Sequence, residues 1–126
     1  MAFQLLAAAV LALPTAANRE MNSRIMGLRT FPLVSVGACA YILIGLSFIP
    51  EDQPDALARI MQGLLSGIGF VGGGAILKSG DHVNGTASAA SIWITGALGT
   101  AVGMQMWPLA VLLSIFNFLI VWSMSS

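Results

Sequence analysis

The amino-acid sequence predicts an all-α fold, a polytopic bundle of about five transmembrane helices in a single domain over residues 1–126. Hydrophobic residues make up 57% of the chain and charged residues only 8%, whereas soluble domains average about 25% charged residues. Apolar blocks alternate with short polar connectors, and five spans of about 20 residues account for most of the length. The net charge is zero and no basic patch is present, which argues against a nucleic-acid partner.

The five apolar blocks are separated by connectors that carry nearly all of the charged residues. We expect the spans at Phe3–Ala17, Phe31–Ile49, Leu57–Leu77, Ala87–Met106 and Pro108–Met124. The last two are joined by a minimal bend at Trp107-Pro108, because proline opens a helix readily but disrupts a helix interior.

The first block has two interpretations. It ends Leu13-Pro14-Thr15-Ala16-Ala17, which is similar to the small-residue cleavage region of a signal peptide. However, it lacks a positive segment before the apolar run, and its removal would place the arginine-rich connector outside the cell. We therefore expect residues 1–17 to be retained as a span, with cleavage as the alternative.

The charges of the connectors predict the orientation of the chain. In a five-span arrangement the first and third connectors lie on the same side of the membrane, and positively charged connectors stay cytoplasmic. Four of the five cations lie in or beside these two connectors: Arg19, Arg24, Arg29 and Lys78. The second connector carries Glu51, Asp52 and Asp55 instead. The N-terminus should be outside and the C-terminus cytoplasmic.

Glycines recur at four-residue spacing in the third and fourth spans. Such pairs permit close approach of helix backbones in a membrane. The pairs are Gly63 with Gly67, Gly69 with Gly73, and Gly99 with Gly103. We expect these two spans to form the centre of the bundle, with contact sites at Gly67, Gly69, Gly73, Gly99 and Gly103. Local unwinding at the triple glycine, with carbonyls presented to a cation, is the alternative.

Polar side chains are sparse inside the spans. Ser88, Ser91 and Thr95 form one stripe with Gly99, and we expect this stripe to pack against the third span. Lining of a narrow aqueous path is the alternative function. Asn117, centred in the last span, is predicted to form an interhelical hydrogen bond or to contact a pore or partner.

The remaining polar residues lie mainly in the connectors. Arg19, Glu20, Arg29 and Asp81 form a cytoplasmic charged set, either a solvated connector or a constellation that holds the first connector against the third. Cys39 is the single cysteine, and we interpret it as a small buried hydrophobe. No arrangement of catalytic or metal-binding residues is present in the sequence, so we expect no metal site, no cofactor and no enzymatic activity.

Three segments resemble the MgtC/SapB family of bacterial inner-membrane proteins. Residues 26–30 with 33–38 are similar to the family's "AGLRTxxLVxxGA" passage, 66–77 to its "SGIGFxGAGxIL" helix, and 83–93 to its "VxGLTTAAxxW" passage. Asn18-Arg19-Glu20 is similar to the family's "ERE". Two departures stand out, Asn18 in place of a glutamate and Ala87 in place of a polar residue.

The resemblance implies a multi-pass protein of the bacterial inner (plasma) membrane with its C-terminus inside. It also implies adaptation to magnesium limitation, by helix–helix contact with another membrane protein or complex that the chain regulates. The expected partners are the lipid bilayer and either a membrane protein or a second copy of the chain. A small magnesium, ion or solute conduit is the alternative. On this resemblance we expect a short member without the C-terminal cytoplasmic domain of longer ones.

Overall fold

A computed structural model describes residues 1–22, 27–79 and 82–124, and helices account for most of them. The helices are α1 (Ala2–Asn22), α2 (Thr30–Phe48), α3 (Pro54–Gly73), α4 (Thr86–Gly103) and α5 (Trp107–Met124). Two strands of three residues each, β1 (Leu77–Ser79) and β2 (His82–Asn84), pair antiparallel between α3 and α4. The predicted all-α bundle is therefore confirmed, with five helices in the predicted order.

The third helix ends one turn earlier than its apolar sequence predicts. Pro54 occupies the first turn of α3, where its missing N–H is not needed. The helix ends within the triple glycine, where the N–H of Gly74 still donates to the Phe70 carbonyl at 3.1 Å. Consecutive glycines stabilise a helix poorly, so the chain leaves the helical conformation there and enters the β1–β2 hairpin. The apolar segment 75–77 continues the hydrophobic pattern but not the helix.

The centre of the bundle is α4 alone, and the prediction that α3 shares this place is wrong. Helix α4 contacts each of the other four helices, and ten of its 18 residues are buried. Helix α3 contacts α2 and α4 at the edge of the bundle, and Gly72 is the buried residue among its 20. Glycine spacing shows that a helix can be approached closely, but not which helix of the chain approaches it.

Helix α1 is an integral part of the bundle. Its Ala8, Ala12 and Ala16 are at most 2% exposed, so one small-residue face lies against the other helices. Two backbone carbonyls of α1 accept hydrogen bonds from serines, Ala8 from Ser35 at 2.8 Å and Leu11 from Ser114 at 2.6 Å. Residues 1–17 therefore pack and hydrogen-bond within the bundle, and their retention as a span stays a prediction.

The outside of the bundle is apolar. Two helices, α2 and α3, are long and apolar enough to cross a membrane, with mean hydropathies of 2.0 and 1.2, and α5 contains a shorter apolar stretch. Large side chains such as Phe70 (85% exposed) and Trp122 (61% exposed) point outward. Soluble monomers rarely expose such contiguous apolar surface. The passage of every helix through the membrane and the orientation of the termini stay predictions.

Candidate functional site

Two polar residues of α4, Ser91 and Thr95, are directed at α5 rather than at α3. Asn117 donates from Nδ2 to the Ser91 carbonyl at 3.2 Å and to Thr95 Oγ1 at 3.1 Å. The Thr95 hydroxyl donates in turn to the Ser91 carbonyl at 2.8 Å. Ser88 is 1% exposed on the same helix. Ser91 and Thr95 therefore lie against α5 and not against α3 as expected, because the rotation of α4 turns Gly96 toward Ile68 of α3.

Gly99 and Gly103 lie where α4 crosses α2. A Cβ at Gly99 would stand 2.9 Å from the Ser35 carbonyl carbon and 3.0 Å from the Ser35 Cα. A Cβ at Gly103 would stand 2.8 Å from Cγ2 of Ile42 and 3.1 Å from the carbonyl oxygen of Cys39. Cys39 itself is buried, as the sequence predicts. The backbones of α2 and α4 approach closely at these glycines, as small residues allow between membrane helices.

Most glycines of α3 lack such neighbours among the described residues. A Cβ added at Gly67, Gly69 or Gly73 would meet none of them within 4 Å, whereas a Cβ at Gly72 would stand 3.0 Å from the Ala89 carbonyl oxygen of α4. Gly63 and Gly67, together with Gly37 of α2, line an apolar groove of about 450 Å³ between α2 and α3. The predicted contact role of these α3 glycines therefore concerns a partner outside this chain, and it stays a prediction.

The cytoplasmic charged set is not brought together among the described residues. Arg19 belongs to the last turn of α1 and is buried, with 5% exposure, so it is not part of a solvated connector. Glu20 Oε1 accepts a hydrogen bond from the Leu28 N–H at 3.1 Å, which ties the end of α1 to the start of α2. Arg29 is exposed before the first turn of α2. Asp81 lies outside the described residues.

Arg19 lines a cavity of about 340 Å³ between α4 and α5. Its Nε and Nη2 donate to the side-chain oxygen of Asn18, at 3.2 and 2.8 Å. Ser91 and Asn117 line the same cavity and are at least as buried as Arg19, whereas Phe116 and Ile120 are exposed. The lining of the cavity is therefore mostly apolar, with Arg19, Ser91 and Asn117 as its polar members.

Sequence reasoning missed the polar residues that attach α1 to the bundle. Gln4 donates from Nε2 to the carbonyls of Val102 and Gly103, each at 3.2 Å, and so reaches the last carbonyls of α4. Ser35 and Ser114 bond to α1 as described above. Each is an isolated polar residue in an apolar segment, a pattern that often marks an interhelical hydrogen bond. That pattern was available in the sequence.

The structure offers no cluster of metal ligands within residues 1–22, 27–79 and 82–124. No group of three or more histidine, cysteine, aspartate or glutamate side chains in these ranges is arranged to hold an ion. Of the polar groups near the centre of the bundle, the Asn117 amide bonds across to α4, whereas the Thr95 hydroxyl bonds to a carbonyl of its own helix. Among the described residues, these polar groups therefore contribute to helix packing or line the cavity beside Arg19.

Comparisons with known proteins agree with the resemblance in the sequence. The chain is 34% identical over 130 residues to Protein SrpB of Synechococcus elongatus, covering 94% of this chain and 71% of that protein. It is 38% identical over 100 residues to Protein MgtC of Salmonella typhimurium, covering 79% of this chain and 42% of that protein. Protein MgtC of Brucella abortus is 34% identical over 99 residues, covering 79% and 40%.

The alignments cover only part of the longer relatives. The chain spans less than half the length of the two MgtC proteins, and no solved structure gives a significant match. The model of the MgtC family, however, matches residues 5–126, which include all five helices almost entirely. With this match and the apolar bundle that carries it, the protein is a membrane protein and belongs to the MgtC family.

Proposed function

We propose that the protein regulates another membrane protein or complex in the bacterial inner membrane, through direct helix–helix contact at α3, in adaptation to magnesium limitation. Membership of the MgtC family supports the magnesium link. The contact mode rests on one structural observation, the open glycine face of α3.

Exposure of α3 to lipid does not by itself call for a partner, because lipid tails are as apolar as leucine. Exposed glycines are different. Each glycine inside a helix destabilises it by about 1 kcal/mol relative to alanine. A glycine that faces lipid gains no close helix–helix packing to offset this cost. Gly63 and Gly67 face the groove beside α2 with nothing within 4 Å of an added Cβ. A second helix laid in this groove would approach the backbone of α3 closely and gain van der Waals contacts.

Affinity purification from gently solubilised membranes tests the contact. Gly67→Leu places a side chain in the groove, and its Cβ lies more than 4 Å from the described residues, so we expect normal accumulation but loss of the co-purifying membrane protein. Gly69→Leu is the comparison variant: Gly69 is equally open but lies about 200° further round the helix and outside the groove, so the proposal places the partner contact at Gly67 and not at Gly69. Equal retention of the partner by both variants would refute contact through this groove.

The magnesium link requires a separate measurement. A strain carrying Gly67→Leu should grow as poorly at low magnesium as a strain that lacks the protein, whereas Gly69→Leu should restore growth. Normal growth of the deletion strain at low magnesium would contradict the role in magnesium limitation but would leave the proposed partner contact at α3 untested by this result.

The alternative function is a small magnesium, ion or solute conduit along the polar stripe. The hydroxyl of Thr95 and the amide of Asn117 are bonded to each other and to the Ser91 carbonyl, an arrangement that supports packing rather than passage. Magnesium flux into liposomes that contain the purified protein would favour the conduit if Thr95→Val abolished it.

A further inference from the structure

The cavity between α4 and α5 contains polar groups that helix packing does not explain. Arg19 is 5% exposed, and its two hydrogen bonds both go to the neutral side-chain oxygen of Asn18. A guanidinium has five N–H donors, and its Nη1 donates to no described residue. Within residues 1–22, 27–79 and 82–124, no carboxylate forms an ion pair with it. A buried charge is costly unless it is paired, so this site favours an anion.

A second observation points into the same cavity. Ser91 is 3% exposed, and among the described residues its Oγ is the buried side-chain atom that lacks a hydrogen-bond partner. Buried hydroxyls are normally bonded, and each exception calls for an explanation such as a bound group. Ser91 and Arg19 line one cavity from two helices. Together they place beside this cavity a hydroxyl and a cation that have no hydrogen-bond partner and no ion pair, respectively, among the described residues.

The start of α4 adds to the attraction for an anion. Ala87, the second residue of this 18-residue helix, lines the cavity, and no acidic residue lies in the first turn. The N-terminus of a helix carries a partial positive charge and free N–H groups, which favour negative groups nearby. Arg19 and the N-terminus of α4 therefore both contribute positive charge beside the cavity.

The walls of the cavity identify the kind of molecule that carries the anion. Phe116 and Ile120 are 56% and 59% exposed at the mouth, on the apolar outside of the bundle, and Ile94 and Leu113 continue the apolar lining. An inorganic anion gains nothing from these walls, whereas an acyl chain does. The volume of about 340 Å³ is that of a small-ligand site. It accommodates a headgroup and the first carbons of its chains, with the rest lying along α4 and α5.

We propose that this cavity binds the headgroup phosphate of an anionic phospholipid, with Arg19 as its counter-charge and the Ser91 hydroxyl as a hydrogen-bond donor. The lipid then lies between α4 and α5 at the end of the bundle where α1 ends and α4 begins. This site is distinct from the α3 contact proposed above. Its test variants lie on α1 and α4, so that each proposal fails independently of the other.

The experiment titrates the purified full chain in a mild detergent with phosphatidylglycerol, followed by native mass spectrometry and by the melting temperature. Phosphatidylcholine and glycerol 3-phosphate are titrated in parallel as a lipid without net charge and an anion without acyl chains. We expect phosphatidylglycerol to bind at least tenfold more tightly than phosphatidylcholine, and glycerol 3-phosphate to leave the melting temperature unchanged. Equal binding of the two lipids, or equal stabilisation by glycerol 3-phosphate, would overturn the proposal.

Substitutions assign the binding to the cavity. Arg19→Gln should weaken phosphatidylglycerol binding about tenfold, the equivalent of one hydrogen bond to a charged group, and Ser91→Ala should weaken it several-fold. Arg29→Gln is the matched control, since it removes an exposed charge of the same kind and should change the affinity less than twofold. A loss with Arg29→Gln equal to that with Arg19→Gln would contradict the site.

Two further variants keep the proposal refutable. If Arg19→Gln does not accumulate, Arg19→Lys takes its place. Lysine retains the charge without the planar fork, so this variant should bind phosphatidylglycerol more weakly than the wild type, and an unchanged affinity would contradict the role of the guanidinium. Asp81→Asn tests whether an acidic group of the chain, rather than lipid, balances Arg19. We expect it to change phosphatidylglycerol affinity less than twofold, and a larger gain would show that Asp81 occupies the place assigned here to phosphate.

Discussion

Replacement of Gly99 by alanine tests the close crossing of α2 and α4. The added Cβ would stand 2.9 Å from the Ser35 carbonyl carbon, whereas ordinary van der Waals contact begins at 3.4 Å. The obstacle is backbone, which cannot rotate away as a flexible side chain can. The Ser35 carbonyl oxygen lies closer still to this Cβ, so the two helices must separate by more than about 0.5 Å, a gap that forfeits at least roughly a quarter of the dispersion energy of the facing atoms.

The expected loss follows from two opposing terms. Overpacking of a tight contact typically costs about 1–3 kcal/mol, while alanine improves helix propensity by about 1 kcal/mol. The second term offsets the first only in part, since the Ser35 hydrogen bond to the Ala8 carbonyl lies at the same crossing. We expect Gly99→Ala to lower the free energy of unfolding by about 1–2 kcal/mol.

The free energy of unfolding is measured by titration with denaturing detergent in mixed micelles, with tryptophan fluorescence as the signal. Gly67→Ala is the control, because its Cβ meets nothing within 4 Å and only the propensity gain remains. It should be as stable as the wild type or more so. A Gly99→Ala protein as stable as Gly67→Ala would refute the close crossing of α2 and α4.

Three other substitutions test the remaining contacts by the same titration. Asn117→Leu removes both hydrogen bonds to α4 and should cost about 0.6–2 kcal/mol; a double-mutant cycle with Thr95→Val that shows no coupling would contradict the bond. Gln4→Leu removes the side-chain donor to two α4 carbonyls, of which that of Val102 keeps the Gln105 N–H, and should cost about 1 kcal/mol; an unchanged midpoint would exclude a stabilising role of these bonds. Gly85→Ala strains the left-handed residue (φ 89°) before α4 and should cost about 1–2 kcal/mol; Gly85→Asn should cost less, and the reverse order would contradict the conformation.

Arg19 shows where sequence reasoning stopped short. An arginine beside other charged residues at the end of an apolar block resembles a solvated connector, and nothing local distinguishes it from Arg24 or Arg29. Its burial arises because α1 continues to Asn22 and brings this position between α4 and α5. The length of α1 past its apolar block, and the neighbours it meets there, are tertiary properties.

The sequence by itself determined that the protein belongs in a membrane, the number and order of its helices, and its family. These depend on composition, on block length and on local motifs, each of which is encoded within one segment. The tertiary structure alone decided that α4 rather than α3 is central, that the polar stripe faces Asn117, and which glycines are covered. The physical reason is that small-residue spacing defines a face on each helix, whereas the partner of that face depends on the relative rotation of all five helices.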